Sequence, residues 1–253
     1  MRDAEMQAML AADERHWWYR GRRRVLAAVL DRLALPPGCA VLDAGCGSGR
    51  TLDDLARLGP VSGFDFSPLA VDSARARGHR GVQRGRLEEI PYADSSFDLV
   101  TCLDVVEHTP DDVRSLSELR RVTRPGGTMV ATVPAYQALW SDHDVANEHV
   151  RRYRWGALRD AAETAGWEPV RFTYFNSILL PPAAAVRLAQ RLRRRERVGP
   201  ARAQLELTPA SLDSVLELPM RAEAWLIRLG ARLPAGLSLL GVFRNPGTRL
   251  AGT

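Results

Sequence analysis

Residues 41–50 read VLDAGCGSGR, three glycines at alternate positions with an acid two places before the first. Lacking a Cβ, glycine lets a backbone adopt positive φ and come close to a bound group. Asp43 puts a negative charge at the same place. A second acid, Asp65 in GFDFSP, closes the next apolar run. Dinucleotide sites place a ribose-binding acid at much this distance, about 20 residues beyond their glycine loop.

Three ligand chemistries compete for such a loop. A P-loop needs a Lys-Ser/Thr pair behind its glycines, and this chain has no lysine, all 35 basic residues being arginine. A dinucleotide loop reads G-x-G-x-x-G and seats a pyrophosphate on a helix N-terminus. Here the spacing is G-x-G-x-G, and Asp43 repels a pyrophosphate. A cationic ligand without phosphate suits it better, and S-adenosylmethionine, a sulfonium with an ammonium, is one. Asp65 can take both ribose hydroxyls of either cofactor, so the loop spacing and Asp43 make the distinction.

Strands and helices must alternate to hold these residues at one edge. Apolar runs at Cys39–Ala44, Val61–Phe64, Gly81–Arg84, Phe97–Leu103, TMVATV and Val170–Phe175 read as strands. Helical spacing occupies Gly49–Leu58, the stretch from Ser67-Pro68 to Gly78, the stretch after Thr109-Pro110-Asp111-Asp112, and Arg154–Gly166. This alternation implies parallel pairing with right-handed crossovers, a doubly wound α/β sheet. Before it come a polar helix over 2–15, the aromatic-basic knot HWWYRGRRR, and a second helix to about Leu35, stopped by Pro36-Pro37-Gly38. After Asn176 a helical insertion precedes one last strand, LSLLGVF. The expected organisation is a single domain: N-terminal helical lid 1–36, cofactor-binding core 37–176, helical insertion 177–235, last strand and tail 236–253.

The length of 253 residues suffices for a real core, and 45% apolar with 26% charged residues is ordinary for a globular chain. The formal charge of +5 comes from arginine alone and carries little functional weight. No nucleic-acid-binding module is present. Cys39, Cys46 and Cys102 form neither a metal spacing nor a disulfide framework and suit a reducing compartment. The N-terminus has no apolar signal core, and Ile178–Val186 is too short to span a bilayer. The expectation is a soluble cytoplasmic protein with no bound metal.

Four segments in order, VLDAGCGSGR, GFDFSP, RLEEIPYADSSFDLVTCLDVVEH and LRRVTRPGGTMVATVP, resemble the motifs of class I S-adenosylmethionine-dependent methyltransferases, with a methyltransferase type 11-like core. The flanks HWWYRGRR, WSDHDVANEHVRRY and TYFNSILLPP resemble a bacterial subgroup of that family. The resemblance implies a Rossmann-like seven-stranded sheet, six strands parallel and one antiparallel. It places Asp43 near the methionine ammonium, Gly45, Gly47 and Gly49 against the cofactor, and Asp65 on the ribose. Phe66 lines the adenine, Leu87 and Glu88 meet its edge, and Asp104 lies beside the methionine moiety. Arg86 departs from the pattern, since the family usually has an acid before the position of Leu87.

Methyl transfer needs an acceptor atom in line with the sulfonium methyl and a base to remove its proton. Histidine suits that task. His108 follows the fourth strand in DVVEH and either enters the site or caps the next helix. His143 and His149 follow the fifth strand; His143 can pair with Asp142 or Asp144 as base and orienter. Tyr153 is a further catalytic candidate. Trp18, Tyr19, His149 and Arg152 are the acceptor-binding candidates, the aromatics as stacking faces and the arginine as a clamp for a carboxylate or phosphate. In the insertion, Ala185, Leu188, Ala189 and Leu192 form an apolar stripe opposite Arg187, Arg191 and Arg194. A helix of this kind over 178–197 either covers an acceptor pocket or lies on a membrane surface. The expected acceptor is a small molecule, lipid-linked or polyketide-like, methylated on oxygen or carbon. The competing readings are a catalytically silent cofactor-binding partner and a nicotinamide-dependent oxidoreductase.

Overall fold

A run of seven mostly apolar residues such as FDLVTCL is stable as a strand only when both faces are covered. In the computed structural model, which describes residues 3–193 and 210–247, it forms β4 (Phe97–Leu103), almost wholly buried. Around it lie β1 (Val41–Ala44), β2 (Val61–Asp65), β3 (Val82–Arg84), β5 (Thr123–Pro134), β6 (Glu168–Phe175) and β7 (Ser238–Arg244). The helices are α1 (Asp3–Asp13), α2 (Trp17–Leu30), α3 (Arg50–Leu55), α4 (Pro68–Ala76), α5 (Asp112–Val122), α6 (Asp142–Ala146), α7 (Trp155–Thr164), α8 (Leu180–Arg193) and α9 (Ala210–Arg228).

The seven strands form one sheet in the order β3-β2-β1-β4-β5-β7-β6. β1 pairs in parallel with β2 on one side and β4 on the other, so the strand order reverses between β1 and β4. In an open sheet of this kind ligands bind beyond the carboxyl ends at that reversal. β7 is the antiparallel strand. Asn245, beyond its end, exchanges backbone bonds with Gly126 and Gly127 early in β5, whereas Leu237, before its start, accepts from Ala135 past the end of β5. The sheet is therefore mixed, six strands parallel and one antiparallel, as expected.

Two boundaries differ most from the sequence reading. β5 begins at Thr123, because Gly126 and Gly127 pair with Asn245 and turn Pro125-Gly126-Gly127 into part of the strand. The second helix stops at Leu30 instead of running to Leu35.

The chain divides into two compact units. One comprises residues 34–133, 155–172 and 240–253 and contains β1 to β4, nearly all of β5, and α3, α4, α5 and α7. Its core is Leu42, Leu99, Val100, Leu116, Leu119, Met129 and Leu158, all fully buried. α5 starts where the Asp111 side chain accepts the Arg114 N–H, and Trp167 anchors it by donating to the Leu116 carbonyl at 2.9 Å.

The other comprises residues 1–33, 134–154 and 173–239. Here the N-terminal helices and the insertion, read separately from the sequence, pack on each other: α2 lies along α9, with Gly21 facing Met220 so closely that a side chain on Gly21 would overlap it. Arginines of the aromatic-basic knot are engaged with acids. Arg23 is buried and pairs with Asp13 at 2.9 Å, while Arg20 and Arg24 both reach the buried Glu217 of α9. Asp213 accepts the Trp17 N–H, and His16 caps α2 through the Trp18 N–H. Among the described residues no helix is long and apolar enough to cross a membrane. Of the expected stripe in α8, the side chains of Leu188, Ala189, Arg191 and Leu192, and all of residues 194–197, lie outside the described residues.

If Gly21 is what lets α9 close on α2, Gly21→Val forces the helices apart. It should cost about 1–3 kcal/mol, the usual scale of overpacking, read as a lower urea midpoint at an unchanged slope.

Candidate functional site

Asp43, Gly45, Gly47, Gly49, Asp65, Phe66, Leu87, Glu88, Asp104 and His108 all belong to the unit that carries β1 to β4. Most sit at the carboxyl ends of β1, β2 and β4, the strands around the reversal of order. Asp43 is 2% exposed and accepts from Thr101 Oγ1 at 2.6 Å, its register partner on β4. The chain then enters the glycine loop, where Gly45, Gly47 and Gly49 have φ of 73°, 53° and 81°. A Cβ on Gly45 would strike the Val105 side chain, and one on Gly49 would strike Ala74 of α4. These glycines serve the protein's own packing as well as any close approach by a ligand.

Asp65 is the second hub. Its carboxylate accepts the Gly47 N–H at 3.0 Å and the Ser67 N–H at 2.9 Å. In a phosphate-binding loop a backbone donor such as Gly47 N–H would face the anion; here an internal carboxylate takes it. Burial pushes the Asp65 acid up from its ordinary value, and the backbone donors from Ser67, Gly47 and Phe66 only partly offset that. Phe66 beside it is 46% exposed, an open apolar face. Leu87 is buried and Glu88 half-buried, while Arg86 is exposed and bridges in the chain to Glu89.

Asp104 closes β4 with φ of 59°, a strained value for a residue with a side chain. Its N–H donates to the Thr132 carbonyl at 2.9 Å, and Thr132 Oγ1 donates back to Asp104 Oδ2 at 2.9 Å. A 3-10 turn, Val106–His108, follows and leaves His108 half-buried. The acidity of this edge shows in its thiols. Burial pushes Cys102 well up, followed by the charges of Glu107, Asp43 and Asp104; Cys46 is raised by burial, then by Asp43 and Asp65. The residues present thus fit a cofactor that offers hydroxyls and positive charge. Thr101 and Thr132 were not foreseen from the sequence, since only the strand register sets them opposite Asp43 and beside Asp104.

The remaining candidates fall in the other unit and are arranged around Asp144. This residue caps α6 by accepting from Ser141 N–H and Oγ–H, receives both Arg152 Nε at 2.7 Å and Nη2 at 2.9 Å, and faces His149 Nδ1 at 2.9 Å. Burial works to raise its acid, but the bonds from His149 and Arg152 win and hold it well below the usual carboxylate range. The carboxylate–imidazole pair is therefore Asp144 with His149, where the sequence pattern suggested His143. Arg152, expected to clamp an anionic acceptor, closes its fork on Asp144 and donates through Nη1 to the Ala135 carbonyl.

His143 has its Nε2 3.2 Å from Asn147 Nδ2 and its pKa lowered to about 4, first by burial and then by His149. That lowering works against the base role the spacing suggested. Tyr153 is 2% exposed, its backbone pinned between Pro134 and Tyr136. Trp18 and Tyr19 meet edge to face at 4.9 Å, and the Arg22 guanidinium already lies 5.0 Å and 5.4 Å from their ring centres.

Two outcomes follow from the titrating groups. Asp65→Ala should weaken S-adenosylhomocysteine binding by about 1–3 kcal/mol, the scale of a charged hydrogen bond. In the unmutated protein, calorimetric affinity should fall on acidification from above the ordinary aspartate range of about 3.9, because the raised Asp65 protonates early and stops accepting from hydroxyls. His143 binds a proton more readily unfolded, near 6.5, than folded, at about 4. Folding stability should therefore rise as pH climbs through that window, by up to about 3 kcal/mol, and His143→Gln should flatten the rise in denaturant titrations.

Residues 42–131 match the family model of a methyltransferase domain. Over 161 residues the chain is 35% identical to a Mycolicibacterium smegmatis protein named as an S-adenosylmethionine-dependent methyltransferase, covering 61% of each, so it spans under two thirds of that relative's length. Over 164 residues it is 33% identical to the ubiquinone biosynthesis O-methyltransferase of Xanthomonas campestris pv. campestris, covering 58% of this chain and 68% of that one. Its fold is like that of a chain in the Haloferax volcanii complex between the Trm112 methyltransferase activator and a methyltransferase, with a TM-score of 0.64, 23% identity, and 98% and 96% of the two chains covered. The glycine loop, the acids at the strand ends and these relatives agree: the chain belongs to the class I S-adenosylmethionine-dependent methyltransferases, whose methyl donor is S-adenosylmethionine.

Proposed function

We propose that the protein moves a methyl group from S-adenosylmethionine to an oxygen or carbon of a small, lipid-linked or secondary-metabolite acceptor. The observation that carries the reading is the pair of buried carboxylates, Asp43 and Asp65, at the ends of β1 and β2, one beneath the glycine loop and the other bonded to it. The cofactor supplies the methyl group on a sulfonium. Asp65 holds the ribose, Phe66 lines the adenine, Leu87 and Glu88 meet its edge, and Asp43 and Asp104 lie at the cationic methionine end. With Gly47 N–H already bonded to Asp65, the loop is a poor seat for the pyrophosphate of a nicotinamide cofactor.

His108 leaves the same strand end as Asp104 and is the group we assign to removing the acceptor proton. His143, with its depressed pKa, is not given that role. The lipid-linked class draws support from the similarity to a ubiquinone biosynthesis O-methyltransferase.

Calorimetry should show micromolar S-adenosylhomocysteine binding and none of NAD; binding of NAD alone would remove the proposal. A lipid extract incubated with methyl-labelled cofactor should gain label in an enzyme-dependent product. His108→Ala should keep cofactor affinity while lowering turnover by about 100-fold or more, the range of lost general-base catalysis.

A further inference from the structure

Helix α9 has two apolar faces. The inner face, with Met220, Ala224 and Ile227, is buried in the unit it shares with α2. The outer face carries Leu212, Val215, Leu218, Trp225, Leu226 and Leu229, each between 38% and 63% exposed. With the exposed Ala222, positions 215, 218, 222, 225 and 229 follow one another at steps of three and four, a continuous stripe along a 19-residue helix. Scattered exposed leucines need no explanation, but six large apolar side chains on one face do.

The charges on α9 are sorted as well. Its acids, Asp213, Glu217 and Glu223, are all turned inward, at 5%, 5% and 2% exposure, and all engaged. Asp213 accepts from Trp17, Glu217 binds Arg20 and Arg24, and Glu223 accepts the N–H groups of Ser177 and Ile178. The ionisable residues left at the surface of the helix are Arg221 and Arg228, the latter paired with Asp31 at 2.8 Å, with Arg232 just beyond its end. Ile178 and Val186 add further apolar exposure, each at 56%.

An apolar protein surface gains nothing from the exposed Arg221 and Arg232 that flank the stripe. A surface of lipid phosphates does, and tryptophan with leucine is the side-chain set that settles at the boundary between headgroups and acyl chains. We infer that the outer face of α9 docks on an anionic bilayer, its leucines and Trp225 inserted at the interface and the arginines against lipid phosphates. The helix lies in the interface, since among the described residues none is long and apolar enough to cross a membrane. The inference goes beyond the proposed reaction and does not depend on it; it puts the protein where a lipid-linked acceptor would be found.

The test is flotation of the full-length protein with vesicles of phosphatidylcholine alone and of phosphatidylcholine mixed with phosphatidylglycerol. Binding to the mixed vesicles should exceed binding to the neutral ones by about tenfold or more and weaken with added salt. The double substitution Leu218→Glu with Trp225→Glu changes only exposed positions. It should keep the circular dichroism and S-adenosylhomocysteine affinity of the parent and lose about nine tenths of the vesicle binding. Equal binding to both vesicle types, or binding that survives the double substitution, would overturn the inference. So would a dimer in sedimentation that the same substitution disperses, since a second copy would then cover the stripe.

Discussion

The Asp65 carboxylate joins two backbones: it accepts the N–H of Gly47 in the glycine loop and the N–H of Ser67 at the start of α4. With that bridge in place, the loop after β1 cannot present Gly47 to a phosphate, and the turn after β2 is held at the same crevice. Negative charge then gathers at the strand ends, where Glu107, Asp43 and Asp104 add to the burial that raises the Cys102 thiol. Keeping carboxylates buried is costly without donors. Thr101 supplies one to Asp43 and Thr132 one to Asp104, so the acidic edge is built into the register of β1, β4 and β5.

The site also depends on how closely its loops approach one another. Gly45 admits Val105 from the turn after β4, and Gly49 admits Ala74 from α4. Asp104 holds a left-handed conformation, fixed by two bonds to Thr132. Such strain persists only where the surroundings over-determine it and tends to mark functional positions. Glycines that look ligand-directed in the sequence thus have a second duty, and a side chain at either position would deform the loop before any cofactor arrived.

The gathering of Asp43, the loop glycines, Asp65 and Asp104 at one sheet edge was legible in the sequence because its logic is local. A strand, a loop and a helix start lie within a short stretch, and the acids stand at strand ends that the apolar runs mark. The arrangement around Asp144 was not. Whether Asp144 meets His143 or His149 is decided by Glu148, whose φ of 57° turns the chain back so that His149 N–H reaches the Asp144 carbonyl. Helical spacing contains no sign of that turn. Arg152 looked like a substrate clamp because arginine clusters give no hint of a buried carboxylate eight residues earlier. The pairing of α2 with α9 was out of reach for the same reason, since Trp17 and Asp213 are 196 positions apart. The last strand and the doubly wound order came out as read, while the start of β5 did not, because its partner Asn245 lies at the other end of the chain.

The central claim is that the edge at β1, β2 and β4 is acidic in order to receive a positively charged sulfur cofactor through its ribose and its amino-acid end. A crystal structure with S-adenosylhomocysteine tests it most directly. The account predicts both ribose hydroxyls on the Asp65 carboxylate, the adenine against Phe66 and the ammonium group on the Asp43 and Asp104 side. A cofactor bound elsewhere, or an electron-density peak for a diphosphate at Gly47, would contradict it.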